Sequence, residues 1–178
     1  MEYVIIAIVA AIVIAVIWVI STSNKFKRLE IKIDEALSGI EVALEKRYDM
    51  LTKLLDVTKG YAKHETETFE KVINLRKGMS LKDLSDSDKQ MNNMTSGLLA
   101  LAEGYPELKS SEVFVELQKG IRDAEEHLQA ARRVYNANVT AYNTAIAMFP
   151  ASLLAGGRTA KEFYEAEEYK HEDVKMQF

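Results

Sequence analysis

The chain has 178 residues, a formal net charge of −4, no Cys, 2 Pro and 8 Gly. Without Cys there are no disulfides, thiolate metal sites or cysteine nucleophiles, and so few Pro and Gly exclude a turn-rich sandwich or barrel. A net negative chain also lacks the basic surplus of a nucleic-acid binder.

The first element is apolar throughout. Residues 3–20 contain no charged side chain. As a helix they span about 27 Å, close to the roughly 30 Å of a bilayer's hydrocarbon core. Tyr3 and Trp18 lie near the two ends, where amphipathic rings favour headgroups. A buried core helix of a soluble protein is the weaker alternative, because the run is terminal, continuous and rich in Ile and Val all round. A cleaved signal peptide would need a basic start and a small-x-small cleavage site. Met1-Glu2 and Trp18-Val19-Ile20 supply neither. The expectation is an uncleaved single-pass anchor over residues 1–24. Lys25, Lys27 and Arg28 follow the span, so the positive-inside rule puts the N-terminus outside and residues 25–178 in the cytoplasm. The same cations should rest against anionic headgroups.

Residues 25–178 carry all 23 basic residues and 26 of the 27 acidic ones. No Gly or Pro interrupts the chain before Gly39. The membrane helix therefore either runs straight on or yields to a new helix capped by Ser23 or Asn24. From residue 33 the apolar positions follow a heptad. Ile33, Ala36, Ile40, Ala43, Arg47, Met50, Leu54, Val57 and Tyr61 alternate by three and four, flanked by Leu37, Leu44, Leu51 and Thr58. A stripe this wide suits a helical bundle more than a two-stranded coiled coil. Gly60 is expected to break or kink this helix near its end.

A second helical stretch is expected over 62–79. A third follows over 88–103, capped by Ser87 or Asp88 and ended by Gly104-Tyr105-Pro106. Ser110 or Ser111 restarts the chain. The next helix is the most regular. Phe114, Leu117, Ile121, Ala124, Leu128, Ala131, Tyr135, Asn138, Tyr142, Ala145 and Phe149 keep unbroken three-four spacing up to Pro150. Its length matches the first soluble helix, as antiparallel bundle neighbours should. Residues 151–178 form a tail with a turn at Gly156-Gly157 and a short acidic helix around 160–169. No stretch alternates with period two for long enough to be a strand. The expected fold is all-α: an N-terminal transmembrane helix, then an antiparallel up-and-down bundle of three to four long helices over residues 25–150.

These residues carry a family resemblance. Asp34-Glu35-Ala36, Arg47-Tyr48-Asp49, Leu54 and Lys59-Gly60-Tyr61-Ala62-x-His64-Glu65 resemble the LemA family signature. So do Leu98-Leu99-Ala100-Leu101-Ala102-Glu103 and Tyr105-Pro106-Glu107-Leu108-Lys109. Ala131-Arg132-x-x-Tyr135-Asn136, Tyr142-Asn143-x-Ala145-Ile146, Phe149-Pro150, Phe163-Tyr164-Glu165-Ala166-Glu167-Glu168 and the closing Phe178 continue the pattern in order. Met50-Leu51-Thr52 departs from a Leu-Ile-Pro common in the family, which implies a straighter first helix here. Tyr164 stands where Phe is common. The resemblance implies a bacterial-type membrane-anchored protein with a cytoplasmic antiparallel bundle. Roles suggested for the family include surface or signalling functions and association with membrane proteases, and one divergent branch is tied to magnetosome membranes.

Few residues point to chemistry. Of the three histidines, His64, His127 and His171, only His171 belongs to a Glu-x-x-His pair, with Glu168. A di-metal bundle needs two such pairs and two further glutamates. No phosphate loop, dinucleotide fingerprint or nucleophile elbow occurs. The expectation is no catalytic, metal or cofactor site, no cofactor, no small-molecule substrate and no nucleic acid. Arg47 is the one charge on the first heptad line. It either lays its stem on apolar neighbours with a paired head, or forms a buried polar pair that sets bundle register, with Glu or Asp of the long return helix as partner. Tyr135-Asn136 and Tyr142-Asn143 repeat after one heptad, as core packing or as a groove lining, and Asn138 is the one amide on that line. The tail offers Phe163, Tyr164 and Phe178 as interaction candidates. They either dock on a partner or staple the tail to its own bundle. The expected function is a membrane-anchored, non-catalytic scaffold acting through protein partners or self-association as a homo-oligomer. The alternative is an accessory subunit that presents substrates to a membrane protease or stress-response system.

Overall fold

A computed structural model describes residues 1–62 and 78–164. The fold is all-α. Helix α1 (Glu2–Lys59) is continuous for 58 residues, about 87 Å at 1.5 Å per residue. It contains no Pro, and Ser23 and Asn24 are helical like their neighbours, so the polar dipeptide caps nothing. Gly60 closes the helix, its N–H bonded to Val57 O at 3.2 Å.

Helix α2 (Leu81–Glu103) begins earlier than the expected residue 88. Ser80 is its cap: the hydroxyl oxygen accepts from the Asp83 N–H at 3.2 Å and the hydroxyl donates to the Asp83 carboxylate at 2.7 Å. Gly78 supplies the positive φ of 77° that turns the chain into this cap. The polar run 85–88 is therefore mid-helix, with Ser87 and Asp88 buried. The periodicity explains why. Asp88 stands four residues after Leu84 and three before Met91, on the face that continues to Leu98. Ala62 and residues 78–80 are not helical, and residues 63–77 of the expected second stretch lie outside the described residues.

A one-turn helix α3 (Pro106–Lys109) has Pro in its first turn, where the missing N–H costs nothing. Helix α4 (Glu112–Ala147) is capped by Ser111, whose side chain accepts from the Phe114 N–H at 3.2 Å. It ends at Ala147, so Phe149 lies beyond the helix and is exposed rather than continuing the core line. A 3-10 turn follows (Ala151–Leu154). Residues 160–164 are extended, not helical as expected, and 165–178 lie outside the described residues.

Helices α1 and α4 form the main antiparallel pair, with α2 packed on α1. Their cross-links fix the direction: Glu125 meets Arg47, Asn138 meets Lys32 and Tyr142 meets Glu30. Ile40, Leu44, Leu51, Leu54, Met91, Leu98, Phe114 and Leu128 make the fully buried centre. Gly120 lets the two long helices close up, since a Cβ there would sit 3.2 Å from Met50 Sδ. None of this core involves residues 1–20, which are exposed on every side except at half-buried Trp18.

Candidate functional site

Two polar arrangements stand out against this apolar interior. The first is an ion cluster in the middle of the bundle. Arg47 on α1 donates from Nη1 to Asp88 Oδ1 at 2.8 Å and from Nη2 to Asn92 Oδ1 at 2.6 Å. Its Nη1 is also paired with Glu125 Oε2 on α4 at 2.6 Å. Arg132, seven residues after Glu125 and so on the same face, donates from Nη2 to Asp88 Oδ2. Asp88 thus bridges two guanidiniums and links all three long described helices. Burial pushes its carboxyl above the ordinary 3.8, outweighing the pull of Arg132 and Arg47. Arg47 Nε, Arg132 Nε and Glu125 Oε2 are buried without an aligned hydrogen bond among the described residues. A cleft of about 270 Å³ opens beside Arg47 and Glu125, with Leu99 and Ile121 on its walls.

The second arrangement holds the chain after α4. Residues 161–164 run extended along α4 and are clasped by two asparagines. Asn143 Oδ1 accepts from the Lys161 N–H at 2.8 Å while its Nδ2 donates to Lys161 O at 2.9 Å. Asn136 does the same to Tyr164, at 2.9 and 3.1 Å. The spacing explains the fit. Seven helical residues rise about 10.5 Å, and three extended residues cover about 10 Å, so every third residue of the strap meets one heptad of α4. Each amide pairs with the strap as a neighbouring strand would, which satisfies backbone groups otherwise left bare. Tyr135 Oη adds a bond to Glu162 O at 3.1 Å.

The strap joins the two arrangements through Tyr164. Its ring is buried, and the Arg132 guanidinium lies over it at 5.1 Å from the centroid. Its hydroxyl has no aligned hydrogen bond among the described residues. Burial, and then the Asp88 charge, raise the phenol to about 12. Nearer the apolar segment, Arg158 lies over the buried Phe26 ring at 5.0 Å and its Nε stands 3.5 Å from Glu30 Oε1. Tyr142 donates to the same Glu30 oxygen at 3.4 Å, and burial raises its phenol as well, with Glu30 adding to the effect.

The candidate residues therefore separate. Arg47, Tyr135, Asn138 and Tyr142 all lie between α1 and its partners, Asn138 through a bond from Nδ2 to Lys32 O at 3.0 Å. Tyr164 is occupied within its own bundle, whereas the neighbouring Phe163 is half exposed. Phe178 lies outside the described residues, as do His64, Glu168 and His171. Tyr3, Lys25, Lys27 and Arg28 are exposed along α1, and Lys27 makes a surface pair with Glu30 at 3.5 Å, of small energetic value. Among the described residues, no group of three or more His, Asp or Glu is arranged to hold a metal ion. Glu125 is an acid of the long return helix of the kind expected to pair with Arg47, whereas sequence reasoning missed Asp88, Asn92 and Arg132. The available signal was an acid on the core period of α2 and an Arg four residues after Leu128 on α4.

The model of the LemA family matches residues 36–178. Protein LemA of Metamycoplasma hominis is 28% identical over 141 residues, covering 76% of this chain and 64% of that protein. Magnetosome protein MamQ of Magnetospirillum gryphiswaldense is 23% identical over 161 residues, covering 72% of this chain and 59% of that protein. The chain spans about three fifths of the length of these curated relatives. One helix of the described residues is long and apolar enough to cross a membrane, and the family match takes in the whole described bundle from Ala36 onward: this chain belongs to the LemA family.

Proposed function

We propose that the chain is a single-pass, membrane-anchored, non-catalytic scaffold whose bundle and tail gather protein partners, further copies of itself included, at the bilayer. Residues 1–24 are the anchor, 25–150 the bundle and 151–178 the tail. Lys25, Lys27 and Arg28 hold the N-terminus outside and the bundle in the cytoplasm. The observation that carries this reading is the single helix α1, unburied over residues 3–20 and core-forming from Thr22 to Thr58. A hinge would let the bundle drift. A continuous helix holds it at a set distance above the surface, which is what a platform needs. The core polar groups pair with one another, and that pairing suits holding helices in register more than binding substrate.

Half-exposed Phe163, next to the clasped Tyr164, is the natural reporter for partners. A photo-crosslinking residue at Phe163 in cells, followed by mass spectrometry, is expected to capture further copies of the chain. Reproducible capture of one membrane protease instead would replace the scaffold reading with the accessory-subunit one. Lipid-only adducts, together with a monomer in mild detergent, would overturn both.

A further inference from the structure

The end of the bundle next to the apolar segment differs from the rest in charge. Between Glu126 and Glu162 the chain has no acidic side chain; its cations there are Arg133, Arg158 and Lys161, besides Arg132, which is buried in the ion cluster. Between Glu2 and Glu30 it has none either, only Lys25, Lys27 and Arg28. Among the described residues, Glu30 is the acid that meets these cations, pairing with Lys27 and Arg158.

That same end exposes large apolar side chains. Phe149 is 80% exposed, Leu153 71% and Met148 61%. Their height follows from the helix register. Asn138 is bonded to the carbonyl of Lys32, and α4 ends nine residues later at Ala147. Nine residues rise about 14 Å, which puts the end of α4 level with about residue 23 of α1. Met148 and Phe149 continue beyond it, and the Ala151–Leu154 turn packs against α1. The apolar run of α1 ends at Ile20, and Trp18 is the one residue of the first twenty that is partly covered. The exposed trio therefore stands where α1 leaves hydrocarbon for headgroups.

We infer that the turn at 148–153 is a second membrane contact, with Met148, Phe149 and Leu153 in the interfacial layer of the bilayer that α1 crosses and Lys25, Lys27 and Arg28 against anionic headgroups. The inference rests on α1 being the membrane anchor. Exposed apolar tips rimmed by cations are what an anionic interface holds. A second copy of the chain fits this face less well, because its own cationic end would meet like charge. The consequence is geometric. A lone helix leaves a bundle free to rotate about the helix axis, whereas two contacts fix which face looks along the membrane and which looks away.

The absence of Cys makes a direct test simple. Full-length single-Cys variants Phe149→Cys and Leu153→Cys carry a spin label in nanodiscs of phosphatidylglycerol and phosphatidylcholine, one copy per disc. Accessibility to oxygen and to a water-soluble nickel chelate is compared with Val134→Cys, on the exposed middle of α4, and Ile12→Cys, in the span. Labels at 149 and 153 should meet the nickel chelate several-fold less often than the label at 134 and meet oxygen more often. The contrast should shrink when phosphatidylglycerol is omitted. Labels at 149 and 153 as wet as that at 134, with 12 in lipid, would overturn the inference and leave the anchor intact. A wet label at 12 would overturn the anchor itself. Shielding that appears only in discs holding two copies would assign the face to a second chain and also overturn the inference.

Discussion

The two halves of α1 are one helix in two surroundings. Residues 3–20 are apolar on every side and touch almost nothing. Residues 22–59 bury a stripe that includes Phe26, Ile33, Ile40, Leu44, Leu51 and Leu54, and leave the other face charged. Both halves are rich in aliphatic side chains, Ile, Val and Ala in the first and Leu, Ile, Val and Ala in the second. What separates them is periodicity, which records whether the solvent is lipid all round or protein on one side. The halves also treat charge differently. The span holds none, while the bundle half buries Arg47, because Asp88, Asn92 and Glu125 surround its guanidinium.

That difference can be broken at the charge first. Asp88→Ala strands the buried Arg132 guanidinium, leaves Arg47 only Asn92 and Glu125, and should cost about 3–5 kcal/mol in chemical denaturation. Replacing the cluster together (Arg47→Met, Asp88→Leu, Arg132→Met) should restore most of that stability, because the desolvation cost goes with the charges. If the cluster sets register, the triple variant will instead show mixed helix pairings by spin-label distances. Next comes a matched pair of truncations. Ile40→Ala opens a cavity in the bundle and should cost about 2–5 kcal/mol, whereas Ile12→Ala should leave bundle unfolding unchanged within about 0.5 kcal/mol. Equal losses would mean that both halves are packed in the same way.

The strap gives smaller effects. Asn136→Ala removes both bonds to Tyr164 and should cost about 1–2 kcal/mol, seen as faster amide exchange over residues 161–164 before global unfolding. Tyr164→Phe removes a buried hydroxyl that lacks an aligned partner and should change stability at neutral pH by less than about 1 kcal/mol. At alkaline pH the same variant matters more. The phenol is held at about 12 against its ordinary 10, so the wild-type chain loses stability as pH rises from about 10 through 12. The Phe variant should lack this part of the loss. Asp88 acts in the acid range with the same sign. Its raised carboxyl makes the folded state bind the proton more readily, so its contribution falls as pH rises from 3.8 through its folded value, and Asp88→Asn should remove that slope.

The parts of the fold that were legible were those written as periods. The apolar span, the heptad line to Leu54 and the long α4 could be read because burial on one face repeats every three or four residues. The start of α2 could not be read, because Ser85-Asp86-Ser87-Asp88 resembles a loop until Arg47 and Arg132 arrive from distant sequence to pair with Asp88. The strap was misread for a similar reason. Residues 160–164 are compatible with a helix locally, and only the amides of Asn136 and Asn143 make the extended form better. The Tyr-Asn repeat was visible, but its meaning depends on matching a heptad's rise to three extended residues, which no single-helix pattern contains. Phe149 kept the heptad spacing past the helix end, so spacing alone counted it as core.

A platform of this kind requires α1 to be one rigid helix shared by bilayer and bundle. Ile12 and Val42 are exposed and thirty residues apart, a separation of about 45 Å in an unbroken helix. Spin labels on the double variant Ile12→Cys and Val42→Cys, measured by pulsed dipolar spectroscopy on the full-length chain in nanodiscs, should give a single narrow distribution at about that distance. A broad, two-peaked or clearly shorter distribution would place a hinge near Ser21–Asn24 and contradict the shared helix.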